Sequence, residues 1–107
     1  MKRVLLDHCV PRRVRLSLFA CDVDTTYQRG WSGLKNGDLL RTAEANGFAV
    51  LVTADQNIRY QQNLASRRLA SVVLPTNALH ALVPLFPTIA AAVGRSGPGS
   101  YEEISPQ

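Results

Sequence analysis

The sequence predicts an α/β domain built on a mainly parallel sheet of four to five strands, with helices on both faces. Short apolar runs alternate along the chain with segments of helical periodicity, which is typical of consecutive β-α-β units. The strongest apolar runs are continuous rather than alternating, as expected for strands buried on both faces. The 107 residues, 46% hydrophobic and 19% charged, correspond to one domain over residues 1–107.

The first half of the chain is predicted to begin with a strand at Val4-Leu5-Leu6. Pro11 then opens a helix to about residue 20, because proline suits the first helical position. Residues 22–27 alternate polar and β-branched side chains, which favours a strand near the sheet edge. A glycine-rich loop over residues 28–37 follows, and its tryptophan is either a lid over a cleft or a plug of the core. A helix over about 38–46 ends this half, since a glycine comes directly after it.

The second half opens on the strongest strand signal, the apolar run over residues 48–53. A polar stretch over 56–68 predicts a loop with a short helix, and residues 70–74 predict a fourth strand closed by a proline. Apolar residues three and four apart over 79–93 predict an amphipathic helix, kinked or delayed by two prolines within it. A last short strand is expected near residues 101–104.

Composition excludes several classes of protein. No apolar stretch approaches the roughly 20 residues of a membrane helix, and the first residues do not follow the pattern of a signal peptide. We therefore expect a cytoplasmic protein that does not associate with membranes. Cys9 and Cys21 lack the spacing and the fourth ligand of a zinc site. No phosphate-binding glycine loop and no Ser/His/Asp triad is recognisable.

Three aspartates are predicted to meet at one edge of the sheet. Asp7 follows the first strand, Asp55 follows the third, and Asp38 opens a helix. Sites in parallel sheets form at the carboxyl ends of the strands, where helices also begin. Carboxylate oxygens favour Mg²⁺ or Mn²⁺, ions that activate water and stabilise phosphoryl displacement. The alternative for each aspartate alone is a helix cap or a turn.

Three segments carry a resemblance to a known family: Val4–Asp7 with Pro11 close behind, Gly33–Leu40, and the most specific, Val52–Asn63. They resemble the PIN-like family, small single-domain prokaryotic proteins related to the VapC-type toxin ribonucleases. The resemblance extends from residue 1 to about 104 and implies a PIN-like three-layer α/β sandwich. It also implies Mg²⁺- or Mn²⁺-dependent cleavage of RNA, with Asp7, Asp38 and Asp55 as the catalytic metal ligands.

The same resemblance implies partners. It predicts single-stranded RNA as substrate, an antitoxin protein if the chain is the toxin of a toxin–antitoxin system, and a homodimer. The helix over residues 79–93 supports the dimer, because it is rich enough in apolar residues to leave some of them uncovered by the sheet. The alternative is that Phe86 and its neighbours all belong to the core.

The chain departs from the PIN pattern at two places. No fourth acid follows Asp55, since Gln56 and Asn57 are neutral, and His8 stands where relatives often have an acid. These departures support a second hypothesis, a catalytically weak or inactive PIN-like module that binds RNA or a protein partner. His8 and Asn57 are candidates to support the ion indirectly, and the alternative for His8 is a turn histidine packed against the next helix.

Basic residues predict the contacts with RNA. The net charge is +4, and ten of the twelve basic residues are arginines, which suit phosphate groups. Tyr60 offers a platform on which a base can stack. The expected substrate contacts are Thr53, Arg59, Tyr60, Arg68 and Arg12, with Arg13, Arg15 and Arg67 extending the same basic rim. Arginines scattered over the surface are the alternative.

Overall fold

The computed structural model describes residues 1–61 and 63–106. Its strands form one sheet: β1 (Arg3–Leu6), β2 (Asp22–Thr25), β3 (Val50–Thr53), β4 (Ala70–Val73) and β5 (Tyr101–Glu103). All neighbouring strands are parallel, and the order across the sheet is β2-β1-β3-β4-β5. This confirms the expected α/β architecture with a parallel sheet, and β2 lies at the sheet edge as predicted.

The helical segments within residues 11–20 and 79–93 are shorter than the sequence pattern indicates. The α-helices are α1 (Thr26–Arg29), α2 (Asn36–Ala45), α3 (Leu79–Leu82) and α4 (Phe86–Arg95), and 3₁₀ turns cover Arg12–Leu18, Gln56–Tyr60, Leu64–Ser66 and Val83–Leu85. The segment predicted as a helix from Pro11 is instead a 3₁₀ segment, with Val14 and Leu18 as its buried residues. The prolines interrupt the last predicted helix as expected. Within residues 1–61 and 63–106, no helix is long and apolar enough to cross a membrane.

The strand predicted over residues 22–27 ends at Thr25 for a local reason. The Thr25 hydroxyl accepts a hydrogen bond from the Gln28 backbone N–H, and the Gln28 side chain accepts one from the Thr25 N–H. This reciprocal pair is a capping box, which starts a helix in place of more strand. The predicted loop over 28–37 therefore overlaps the end of α1.

The two faces of the sheet are buried under separate layers. In β1, Val4 and Leu6 pack into a cluster that includes Ile89 of α4, whereas Leu5 between them packs into a cluster that includes Leu40 of α2. Successive side chains of a strand point to opposite faces, so a continuous apolar run is what two covered faces require. This arrangement is compatible with a three-layer α/β sandwich.

Trp31 packs against the core, and it is not a lid over the cavity. Its ring packs edge-on against Phe48, with centroids 6.0 Å apart and an interplanar angle of 82°. The Arg29 guanidinium lies 5.2 Å from the Trp31 ring centroid. Both aromatic rings belong to the apolar cluster under α2, so the tryptophan anchors the loop that leads into that helix.

The apolar surface expected on residues 79–93 is mostly covered within the chain. Leu82, Leu85 and Ile89 are buried in the core, and Phe86 packs against it. Val83 is the large apolar side chain of this segment that stays exposed, at 50%. The surface argument for a dimer therefore does not hold, and the dimer stays a prediction from the family resemblance.

Candidate active site at the carboxyl edge of the sheet

A cavity of about 640 Å³ lies where the strands end. Its wall comes from residues after β1, β3 and β4 and from the start of α2. The lining residues are Asp7, His8, Cys9, Leu34, Lys35, Asn36, Ala54, Asp55, Thr76 and Asn77. The chain runs from β1 outward to β2 and then returns to β3 on the other side of β1. The cavity is thus at the switch point where open α/β sheets bind ligands.

Asp7 is held at this switch point by hydrogen bonds on both sides. Its backbone N–H donates to the Val52 carbonyl at 2.9 Å, which continues the β1–β3 pairing by one residue. Its Oδ2 accepts from the Thr53 hydroxyl, and its Oδ1 accepts from the His8 backbone N–H, both at 2.8 Å. The side chain is 8% exposed. The carboxylate is therefore fixed in place while it still borders the cavity.

Asp55 joins the end of β3 to the start of α2. Its Oδ1 accepts from the Asn57 backbone N–H at 2.9 Å, which begins the 3₁₀ turn after β3. Its Oδ2 accepts from the Asn36 side-chain amide at 3.1 Å. Asp55 therefore caps the 3₁₀ turn that follows β3, and it also lines the cavity. Asn57 contributes its backbone to this arrangement, and its side chain is exposed.

Thr53 connects the two carboxylate-bearing segments. Its hydroxyl donates to Asp7 Oδ2 and accepts from the Asp55 backbone N–H at 3.0 Å. The residue is 0% exposed. Its hydroxyl is enclosed and already donates to Asp7, so this structure does not bring Thr53 to a surface where RNA could contact it. It positions the two aspartates instead.

Asp38 is placed outside the cavity lining. Its side chain is 57% exposed, and its carboxylate pairs with Arg41 one turn further along α2. Among the described residues, no three His, Cys, Asp or Glu side chains are grouped so that they could hold a metal ion. The expected convergence of three carboxylates is therefore not seen in this structure.

The position of Asp38 away from the cavity follows from the residue at which α2 begins. The helix begins at Asn36, two residues before the predicted start. At about 100° per residue, two residues rotate a side chain by roughly 200° around the helix axis. Asn36 consequently takes the position beside Asp55, and Asp38 turns away from it.

Positive potential faces the two carboxylates. Lys35 is the N-cap residue of α2, and its side chain makes no capping hydrogen bond to the first turn of this ten-residue helix. The first backbone N–H groups of a helix lack partners within it and carry a partial positive charge. Lys35 and Asn36 line the cavity, so this helix end is directed toward it. The cavity thus combines acidic oxygens on the strand side with anion-binding groups on the helix side.

His8 is placed at the mouth of the cavity. Its side chain is 55% exposed, and its ring Nδ1 lies 3.1 Å from Asp7 Oδ1. The Asp7 carboxylate therefore orients the imidazole, and the ring is not packed under the next helix.

Cys9 lines the same cavity as a protonated thiol. Its Sγ accepts a hydrogen bond from the Ala54 N–H at 3.4 Å and lies 3.7 Å from the Thr53 hydroxyl. Burial raises the pKa of the Cys9 thiol above its ordinary value of 9.0, and the negative charge of Asp7 raises it further. Because the thiolate is the reactive form, this environment makes Cys9 a poor nucleophile near neutral pH.

The Cys9 environment gives a pH prediction. In a Cys21→Ser variant, the alkylation rate of Cys9 by iodoacetamide should rise with a midpoint above pH 9.0, since the folded protein favours the protonated thiol. In denaturant the midpoint should fall toward the ordinary value. A native midpoint at or below the denatured one would contradict the assignment.

The predicted basic rim is divided between the two edges of the sheet. Arg59 stacks on Tyr60, with its guanidinium carbon 4.9 Å from the ring centroid, and lies 3.8 Å from Glu103 at the end of β5. This pair is therefore at the carboxyl edge. Arg68 lies just before β4, and its backbone N–H donates to Glu44 near the end of α2. Arg68 is thus at the opposite edge of the sheet, and this structure does not bring it to the cavity.

Arg12 lies close to the site. It borders a second depression of about 270 Å³ together with Asp7, His8 and Tyr27. Sequence reasoning includes Arg12 but misses Tyr27, because the alternating pattern over residues 22–27 predicts that residue 27 ends a strand.

Other lining residues were also missed. Thr76 and Asn77 follow β4 just as Asp55 follows β3, so the same strand-end rule would have found them. Lys35 and Asn36 belong to the start of α2, which the sequence pattern placed two residues late.

Comparisons of the chain with protein-family models, with curated proteins and with solved structures give no match. The PIN-like family is therefore still a prediction from sequence motifs, and the site must be interpreted from its own geometry.

Proposed function

We propose that this protein is a metal-dependent endoribonuclease of PIN-like type that acts on single-stranded RNA. One observation carries the proposal: Asp7 and Asp55 lie at the carboxyl ends of the neighbouring strands β1 and β3 and border one cavity. Both carboxylates are held by hydrogen bonds, so their positions do not depend on a ligand. A role as the toxin of a toxin–antitoxin pair follows from the family resemblance and belongs to the same hypothesis.

The donor set of the cavity fits Mg²⁺ or Mn²⁺. Asp7 and Asp55 offer carboxylate oxygens, and Asn36 and Asn77 add amide oxygens. The Asn36 amide nitrogen already donates to Asp55, which leaves its oxygen for another partner. Mg²⁺ is typically held by one or two carboxylates and keeps several waters. A bound ion would stabilise negative charge on the reacting phosphate and lower the pKa of a water molecule.

The residues of the chain supply binding and orientation. Lys35 and the first N–H groups of α2 bind a backbone phosphate on the helix side of the cavity. Hydrolysis adds water to the phosphorus and breaks one P–O bond, and the departing ribose oxygen takes up a proton. His8, oriented by Asp7 and half exposed, is placed to hold that proton.

A second candidate is a PIN-like module that binds RNA without cleaving it. The position of Asp38 favours this alternative, because its pairing with Arg41 leaves two carboxylates at the cavity in place of the expected three. The two functions differ in one measurable property, metal-dependent cleavage.

The deciding experiment incubates the purified protein with end-labelled single-stranded RNA in Mg²⁺, in Mn²⁺ and in EDTA. Cleavage is expected with either ion and not in EDTA. An Asp7→Asn preparation made in parallel identifies a contaminating nuclease, which would cleave equally in both preparations. Binding without cleavage by the parent protein would establish the binding module instead.

The phosphate site on α2 gives a quantitative prediction. Lys35→Gln should weaken RNA binding for all sequences and reduce the slope of log affinity against log salt by about 0.7, the value for one contact with a single strand. Arg68→Gln removes the same charge from the opposite edge of the sheet and should leave the slope unchanged. Equal slopes for the two variants would argue that α2 does not bind phosphate.

A further inference from the structure

Tyr27 is an exposed aromatic residue beside the candidate active site. We propose that Tyr27 and Arg12 form a subsite for one nucleotide of single-stranded RNA, with the base stacked on the Tyr27 ring and the phosphate held by Arg12. This subsite rests on the proposed function, and it places part of the RNA on the β2 side of Asp7.

One depression brings Tyr27 and Arg12 beside the candidate active site. Tyr27 and Arg12 border a depression of about 270 Å³ that also includes Asp7 and His8. Asp7 and His8 line the main cavity as well, so the two depressions share a wall. A strand of RNA whose phosphate lies in the main cavity therefore meets Tyr27 at a neighbouring nucleotide.

Tyr27 is presented on a rigid backbone. Its residue is 78% exposed, whereas Thr26 before it is fully buried. The Thr25–Gln28 capping box starts α1, and Gly30, with φ of 75°, ends it by donating to the carbonyls of Thr26 and Tyr27. Because both ends of this single turn are fixed, the backbone that carries Tyr27 does not need a ligand to order it.

The chemistry of the pair suits single-stranded nucleic acid. Every base has a π face that stacks on an aromatic ring, so such a platform accepts any sequence. Arg12 is exposed, and among the residues that the structure describes it is not part of an ion pair. Its guanidinium is therefore available to a phosphate. On the far side of the cavity, the stacked Arg59–Tyr60 pair offers a similar combination.

The test measures the affinity of a fluorescein-labelled single-stranded oligoribonucleotide by anisotropy, in EDTA and again in Ca²⁺. Tyr27→Ala should weaken binding roughly 5- to 150-fold, the usual effect of losing one stacked base. Tyr27→Phe keeps the stacking face and should bind like the parent protein. Arg12→Ala should weaken binding and lower the salt slope, whereas Arg68→Ala, which removes the same charge from the opposite edge of the sheet, should not.

Two controls separate stacking from general damage. Phe19→Ala removes another aromatic side chain, 88% exposed, that lies near the opposite end of β2 and should leave affinity unchanged. A series of oligonucleotides, each with one abasic position, locates the stacked base. In the parent protein one abasic position should weaken binding, and in Tyr27→Ala that penalty should disappear.

The outcomes distinguish this subsite from the nuclease proposal. A parent protein that shows the Tyr27-dependent abasic penalty but does not cleave RNA with Mg²⁺ or Mn²⁺ supports the subsite and overturns the nuclease. Unchanged affinity of Tyr27→Ala, an abasic penalty that persists in it, or no RNA binding by the parent protein overturns the subsite.

Discussion

Replacement of Asp7 or Asp55 by asparagine is expected to lower metal-dependent RNA cleavage by at least about a hundredfold, since even indirect partners of a metal site cost 10- to 100-fold when removed. Asparagine keeps the size of the side chain and removes its charge. RNA binding should be unchanged or stronger in the same variants, because each carboxylate repels the phosphate backbone until a cation neutralises it. Single-turnover cleavage and equilibrium binding, measured on the same preparations, check both expectations.

Two other aspartates provide matched controls for this result. Asp22→Asn changes an exposed residue at the start of β2, at the opposite edge from the cavity, and should leave cleavage unchanged. Asp38→Asn should cost less than Asp7→Asn, because its carboxylate pairs with Arg41 outside the cavity lining. A loss for Asp38→Asn as large as for Asp7→Asn would restore the three-carboxylate site. Full activity of Asp7→Asn would refute the metal site altogether.

The second large effect is expected for Thr53→Val, which should lower the free energy of unfolding by about 2 kcal/mol, the typical value of a hydrogen bond to a charged group. Valine matches threonine in shape and keeps the β-branched side chain of β3. It removes the hydroxyl that donates to the buried Asp7 carboxylate and accepts from the Asp55 N–H. Cleavage should fall by roughly 10- to 100-fold, as for other residues that orient metal ligands. Urea unfolding in EDTA measures the stability change without a contribution from metal binding.

Thr53→Ser and a double variant test the cause of that loss. Serine retains the hydroxyl and loses one buried methyl group, so it should keep most of the activity while losing about 1 kcal/mol of stability. In the Asp7→Asn background, Thr53→Val should cost less than in the parent protein, because the charged acceptor is gone. Equal costs in the two backgrounds would show that the hydrogen bond to Asp7 does not carry the effect.

Much of the fold could be predicted because its signals are local. A continuous apolar run such as Val50–Val52 is buried on both faces by any sheet with two covering layers, so the strands were found within a few residues. The positions of Asp7 and Asp55 followed from the strands alone. Parallel strands end at one common edge, and a residue that directly follows a strand must lie there.

Residues in helices and connections could not be placed in the same way. A helix turns by about 100° per residue, so an error of two residues at the start of α2 exchanged Asn36 for Asp38 at the cavity. Arg68 follows a stretch of 3₁₀ turns that has no periodic hydrophobic pattern. Only the fold shows that the chain has returned to the opposite edge of the sheet by the time it reaches Arg68. Tyr27 was hidden because the capping box that ends β2 was read as continuing strand.

Local sequence patterns are sufficient to predict the parallel α/β class, the order of the strands along the chain and the two aspartates at the carboxyl edge. Each of these depends on residues adjacent in sequence and on the alternation of side chains in a strand. Three further features are visible only in the folded chain: the strand order β2-β1-β3-β4-β5 across the sheet, the link through Thr53 between Asp7 and Asp55, and the positions of Lys35 and Asn36 at the same cavity. These features depend on contacts between segments far apart in the chain, and their geometry is set by how the helices pack on the sheet, which local patterns do not encode.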